Sequence, residues 1–171
     1  KFLKISFVIV AMLLFNIAKA QLTLNTSITP EDMIKQVLVG GGITVTNVTY
    51  TGNTLARGSF TANNTNLGLT NGIILSSGDV NLAKGPNNND GASKEYGSAG
   101  YSLLNNLIYP AEGSDAAVIE FDFIPTSDTV KFRYVFGSEE FPEYVGAGFT
   151  DVFGFFISGK NPAGGNYVNK N

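Results

Sequence analysis

The chemistry available to this 171-residue sequence is carboxylate chemistry. It contains no Cys and no His, which removes thiol nucleophiles, disulfides, zinc sites built on Cys or His, and every acid–base pair that needs an imidazole. The acids are unevenly spread. Between Glu112 and Asp151 lie nine acidic and two basic residues, with Glu139, Glu140 and Glu143 inside the segment Ser138 to Tyr144 and Asp151 shortly after it. Calcium takes six to eight oxygen ligands and favours loops that gather carboxylates and backbone carbonyls. The loop 141–150 contains Pro142, Gly146 and Gly148 and can fold Asp151 back, so Glu139, Glu140 and Asp151 are the expected Ca2+ ligands. Asp79, Asp90 and Asp115 join them only if their loops reach the same end of the domain. The plainer alternative is a solvated acidic loop, or carboxylates that cap backbone N–H groups. A glycoside hydrolase is the competing chemistry, since it needs two carboxyls roughly 5 to 10 Å apart across a sugar cleft. Adjacent Glu139 and Glu140 point to opposite faces of an extended segment, so the useful pair is one of them with Asp151. The sequence has no Trp to offer as a sugar platform.

These acids belong to a chain with 43% apolar and 15% charged residues, in the range of one globular domain. Residues 1–20 are read separately. Lys1 and Lys4 precede an apolar run from Ile5 to Phe15, and Ala18-Lys19-Ala20 has the small-x-small spacing of a signal-peptidase site. As a helix that run rises only about 16 Å, roughly half the hydrocarbon thickness, so the expectation is a signal peptide with the mature chain starting at Gln21. No membrane insertion is expected after cleavage. Removing three lysines leaves eight basic against fourteen acidic residues, about −6 in place of −3, a balance that argues against nucleic acid or anionic lipid. The missing initiator Met and the end at Asn171 lead us to expect a C-terminally truncated fragment.

The elements that must position the acids are mostly strands. Residues 21–29 read as a lead-in. Thr29-Pro30-Glu31-Asp32 combines a capping hydroxyl, a first-turn Pro and two acids ahead of Met33, Ile34, Val37 and Leu38, which predicts a short amphipathic helix ending at the glycines 40–42. Ile43 and Val45 alternate with threonines, then the phase slips to Val48 and Tyr50; a bulge near Asn47 absorbs it. Gly72 to Gly78 reads as a short buried strand, residues 81–100 as an exposed loop, and Tyr101 to Ile108 as a second helix stopped by Pro110.

Two further stretches have strong patterns. Ile119, Phe121 and Phe123 alternate with Glu120 and Asp122, and Val130, Phe132, Tyr134 and Phe136 alternate with Lys131 and Arg133. With Pro125 to Asp128 as the turn, this predicts a β-hairpin in which Asp122 opposes Lys131, Glu120 opposes Arg133 and all the aromatics share the core face. Asp151 to Ser158 is apolar on both faces, as expected of a central strand. Together these predict a mainly β fold, a β-sandwich of jelly-roll type with two short helices.

The stretches LVGGGITVTNVTYTGN (38–53), NGIILSSGDV (71–80), DAAVIEFDFIPTSDTVKFRYVFGSEEFPEY (115–144) and FTDVFGFFISG (149–159) resemble the choice-of-anchor L domain of secreted bacterial proteins, many of Bacteroidetes type. The resemblance covers most of residues 30–171. It implies an extracellular or cell-surface location, no established enzymatic activity, and an anchoring tail beyond this chain. Where family members carry an acidic Gly-Asp-x-Asp-Leu segment, this chain has Gly97-Ser98-Ala99-Gly100-Tyr101-Ser102-Leu103, so no role of those acids carries over.

The function expected from these readings is a non-catalytic extracellular module for adhesion or surface display, calcium-stabilised, with a glycan or protein ligand. A structural spacer and a carboxylate glycoside hydrolase are the alternatives. Asn25, Asn47 and Asn63 fit the N-glycosylation pattern, and Asp128-Thr129-Val130 resembles a short O-glycosylation motif.

Overall fold

A computed structural model describes residues 21–171 apart from Gly41, Asn64, Asn87, Asp90 and Asp128. The expected signal peptide, the alternative ligand Asp90 and one residue each of the motifs at Asn63 and Asp128 therefore lie outside the described residues.

The first element, β1 (Thr23–Asn25), comes from the lead-in and forms the edge of a three-stranded antiparallel sheet, β1-β3-β4, with β3 (Arg57–Thr61) central and β4 (Asn71–Leu75) on the far side. The helix after Thr29 forms as expected. The Asp32 N–H donates to Thr29 Oγ1 at 3.1 Å and the Thr29 hydroxyl donates to the Asp32 carboxylate at 2.8 Å, occupying one of the donors that every helix start leaves open. One α-helical turn, Pro30–Asp32, runs on as a π-helical segment, Met33–Leu38; together they are α1. The wider turn is closed by the Val39 N–H on the Ile34 carbonyl, five residues back, at 2.9 Å.

α1 builds the core. Met33 and Ile34 are fully buried, joined by Val45, Ala56, Phe60, Ala62 and Val80. Arg57 enters this core from β3. It donates to the Ile28 carbonyl, approaches Met33 Sδ at 3.5 Å and lies 5.1 Å from the Tyr50 ring centroid. Carbonyl, sulfur and ring replace water around part of this buried guanidinium, while its Nε is buried without a hydrogen-bond partner.

The second sheet pairs β2 (Thr44–Thr51) with β5 (Val118–Ile124), antiparallel, from Thr44 opposite Ile124 to Thr51 opposite Val118. The register shifts between Thr46 and Thr49, and Asn47 there has φ +53°. The phase slip is thus the expected bulge, with a residue type that tolerates the left-handed region. The hairpin expected from Val118 to Phe136 does not form. Alternation states which face a strand buries but not which strand lies beside it: β5 pairs with β2, and residues 129–138 are in no ladder. Asp122 accepts from Asn47 Nδ2 at 2.6 Å in place of facing Lys131, and Arg133 donates to the Gly68 carbonyl at 2.7 Å in place of facing Glu120.

The expected central strand Asp151 to Ser158 is also revised. Only its end joins a ladder, as β6 (Ile157–Lys160) paired with β7 (Asn166–Lys170). Residues 151–156 are in no ladder and are not in the core, and neither is Phe132, which is 52% exposed. Helix α2 (Ser102–Ile108) is where the sequence places it. The loop expected over 81–100 begins instead with a 3₁₀ turn, Val80–Lys84, capped by the Asp79 carboxylate, which accepts from the Asn81 N–H at 2.9 Å. The architecture is mainly β, with short helices and antiparallel sheets of three, two and two strands among the described residues.

Candidate functional site

Phe132, Tyr134 and Phe136 alternate along one extended segment, and Phe153 and Phe155 along another. Ring centroids are 4.0 Å apart for Phe132 and Phe155, 5.4 Å for Tyr134 and Phe153, and 6.1 Å for Phe136 and Phe153. Within the second segment Phe153 meets Phe155 edge-on at 4.7 Å and 86°. The residue numbers of successive pairs rise on one side and fall on the other, so the two segments run antiparallel and are matched by their rings. Offset and edge-on contacts of this kind add about 0.5–1.5 kcal/mol per pair beyond burial. The five rings remain between 42% and 60% exposed, so they make a surface face rather than an interior.

The chain between the two segments, residues 137–150, turns tightly. The Tyr144 N–H donates to the Glu140 carbonyl at 2.8 Å and the Ala147 N–H to the Tyr144 carbonyl at 3.0 Å; the Glu140 N–H donates to Ser138 Oγ at 3.2 Å. Gly146 and Gly148, at φ +79° and +91°, adopt the positive values that a β-carbon resists. The turn encloses an open cavity of ≈ 310 Å³ between Phe136, Phe141, Tyr144 and Phe149, with the Glu140 and Asp151 side chains also on its wall. Tyr144 and Phe149 meet edge-on at 5.5 Å.

Of the acids singled out by the sequence, Glu140 and Asp151 share this cavity, while Glu139 is adjacent but does not line it. Partial burial, then the negative charges of Asp151 and Glu139, hold the Glu140 carboxyl above its usual range. Among the described residues, no group of three or more Asp or Glu side chains is placed to hold a metal ion. Asp79 and Asp115 are engaged elsewhere, on the Val80–Lys84 turn and on the loop before α2.

Asp115 has a role that the sequence reading did not assign. It is 6% exposed, has φ +51°, and accepts from the N–H groups of Tyr96 (2.9 Å), Gly97 (3.2 Å) and Ser98 (2.5 Å). Burial alone would raise its pKa, but these donors outweigh that and hold it below the usual aspartate value. The result is a pin between the loop before α2 and the entry to β5. The available signal was Gly113-Ser114-Asp115, turn formers of which Asp best combines a left-handed backbone with an acceptor.

The fold and this site define a mainly β, antiparallel domain with an aromatic surface face and an acidic cavity at its end. The chain matches the choice-of-anchor L domain over residues 21–171 and belongs to that family. Comparison with curated proteins and with solved structures gives no match. The family consists of surface-associated domains and is not a known enzyme family. Among the described residues, no helix is long and apolar enough to cross a membrane.

Proposed function

We propose that this domain is a secreted, non-catalytic module for adhesion or surface display that binds an extracellular glycan or protein ligand through its aromatic face. The observation that carries this reading is the row of Phe132, Tyr134, Phe136, Phe153 and Phe155, packed on one another yet between 42% and 60% exposed. Contiguous exposed apolar surface on a soluble domain marks a contact site, and aromatic residues are the side chains most enriched at binding hot spots. The experiment is binding of the chain to a panel of glycans, matrix proteins and cells, repeated with the double substitution Phe132→Ser and Phe155→Ser. Binding that the double variant loses supports the reading, and a null result across the panel leaves a structural spacer. Secretion is part of the proposal, with cleavage after Ala20; secreted material whose N-terminal sequence retains Lys4 contradicts it. We also propose that the fold is a jelly-roll sandwich in which β2 and β5 pack over the three-stranded sheet with α1 at their junction.

A second reading assigns Glu139, Glu140 and Asp151 to calcium. It is favoured by the negative charges of Asp151 and Glu139, which add to burial in raising the Glu140 pKa, because a divalent cation relieves that repulsion. An ion that binds only the native state raises the melting temperature, so a melt in millimolar calcium that equals one in chelator removes this reading.

A further inference from the structure

Resting on the ligand-binding reading above, we propose that the cavity enclosed by residues 137–150 receives the guanidinium group of an arginine side chain on a partner polypeptide. Four rings, Phe136, Phe141, Tyr144 and Phe149, wall the cavity, and two carboxylates, Glu140 and Asp151, share it. The face of an aromatic ring is negative and attracts cations. Phe141 and Phe149 are 69% and 62% exposed, so both residues are accessible to an incoming group.

Among the described residues no cation is paired with Glu140 or Asp151. Among the described residues the one ion pair is Lys35 with Glu31, at 2.6 Å, far from this turn in sequence, and Arg133 is turned to the Gly68 carbonyl. The Glu140 carboxyl is already raised by burial and by its acidic neighbours, a penalty that a bound cation removes. Four classes of cation are separated by their chemistry. Calcium requires six to eight oxygens, whereas this wall is mostly ring carbon. A quaternary ammonium suits rings but has no N–H for the carboxylates. A lysine ammonium has the donors but is compact and strongly hydrated. The guanidinium is flat, weakly hydrated and forked, so one group stacks on a ring and donates two bonds to a carboxylate.

The test is calorimetry of the whole chain with a short arginine-containing peptide, a matched lysine peptide, tetramethylammonium and calcium chloride. The expected result is arginine-peptide binding that falls at least about tenfold in Glu140→Gln, as loss of a charge-assisted bond implies, and also falls in Phe141→Ala. The lysine peptide binds more weakly and tetramethylammonium more weakly still. Glu140→Gln is nearly isosteric and Phe141 is exposed, so an unchanged melting curve establishes that both variants are folded. The proposal is overturned if the arginine peptide gives no heat at millimolar concentration, if Glu140→Gln binds it equally, or if calcium alone occupies the carboxylates. A panel ligand that still binds the chain in any of these cases leaves the aromatic-face reading standing and removes only the arginine site. An arginine peptide that binds as expected beside a null panel removes the aromatic-face reading instead.

Discussion

Replacing Asp115 by Asn isolates what its carboxylate does, because Asn also tolerates the φ of +51° found there. The side chain keeps its size and one acceptor but exchanges an oxygen for an NH2 group. In the native protein Oδ2 accepts from the Tyr96 and Gly97 N–H groups at 2.9 and 3.2 Å, and Oδ1 from Ser98. Whichever way the amide is turned, at least one buried backbone donor then faces another donor. Hydrogen bonds to a charged group contribute about 1.5–3 kcal/mol each, partly offset by no longer burying a charge. The expected loss is therefore about 2–4 kcal/mol, or roughly 4–16 °C in melting temperature for a domain of this size. The assay is urea denaturation of both proteins at neutral pH and at a series of acidic values. The folded pKa of Asp115 is depressed, so its contribution is complete above the unfolded aspartate pKa of about 4 and is lost as pH falls through the lower folded value. The gap between the two proteins stays constant from neutral pH to about 4 and narrows below it. A gap smaller than about 0.5 kcal/mol at pH 7, against the range expected from the bond energies, or one that narrows already between pH 7 and 5, refutes the pin.

Three other outcomes follow from the same structure. Asn47→Gly and Asn47→Val both lose the bond to Asp122, but Gly keeps the β2 bulge whereas Val places a β-branched residue at φ +53°; Asn47→Val is expected to be about 1–3 kcal/mol less stable than the native protein by denaturant titration. Thr29→Ala removes the α1 cap and lowers stability by about 1 kcal/mol in the same measurement. The double substitution Phe132→Ser and Phe155→Ser lowers binding of an apolar dye while shifting the melting temperature by less than that of Phe60→Ala, because Phe60 is 8% exposed and the two surface rings about half.

The elements legible in the sequence were those specified by neighbours in the chain. Thr29 and Pro30 announce a helix start, Pro110 follows a helix end, and the change of phase at Asn47 announces the bulge, since each depends on local backbone geometry. Partner choice is not local. Val118–Ile124 has the same alternation whether it lies beside 130–136 or beside Thr44–Thr51, and the charge pairs that favoured the first are exposed pairs worth at most about 1 kcal/mol. The partner that does form, β2, carries the buried Val45. The regular spacing of Phe132, Tyr134, Phe136, Phe153 and Phe155 was visible as well. The assumption that alternating aromatics face inward concealed that they pair with one another on the surface. Asp115 was obscured for a different reason: its partners are three backbone N–H groups, which no side-chain pattern records.

The same ring pairing explains why acids eleven positions apart reach one cavity. With Phe132 against Phe155 and Tyr134 against Phe153, the next antiparallel step sets Phe136 beside residue 151, so the fourteen residues 137–150 have to close over that end. Glu140 enters from the first turn of the closure and Asp151 from the residue that follows it. Their approach is therefore imposed by ring contacts, and the repulsion among these acids, which adds to burial in raising the Glu140 pKa, acts against those contacts. A buried core does not secure this end, because the side chains that hold it are themselves exposed. Regions with few buried contacts open locally at low free energy, and a ligand that covers the rings or neutralises the acids stabilises the closed form by linkage. On this argument binding and order at residues 137–150 are coupled: amide exchange there slows with ligand bound, while exchange in the α1 core around Met33 and Ile34 stays unchanged.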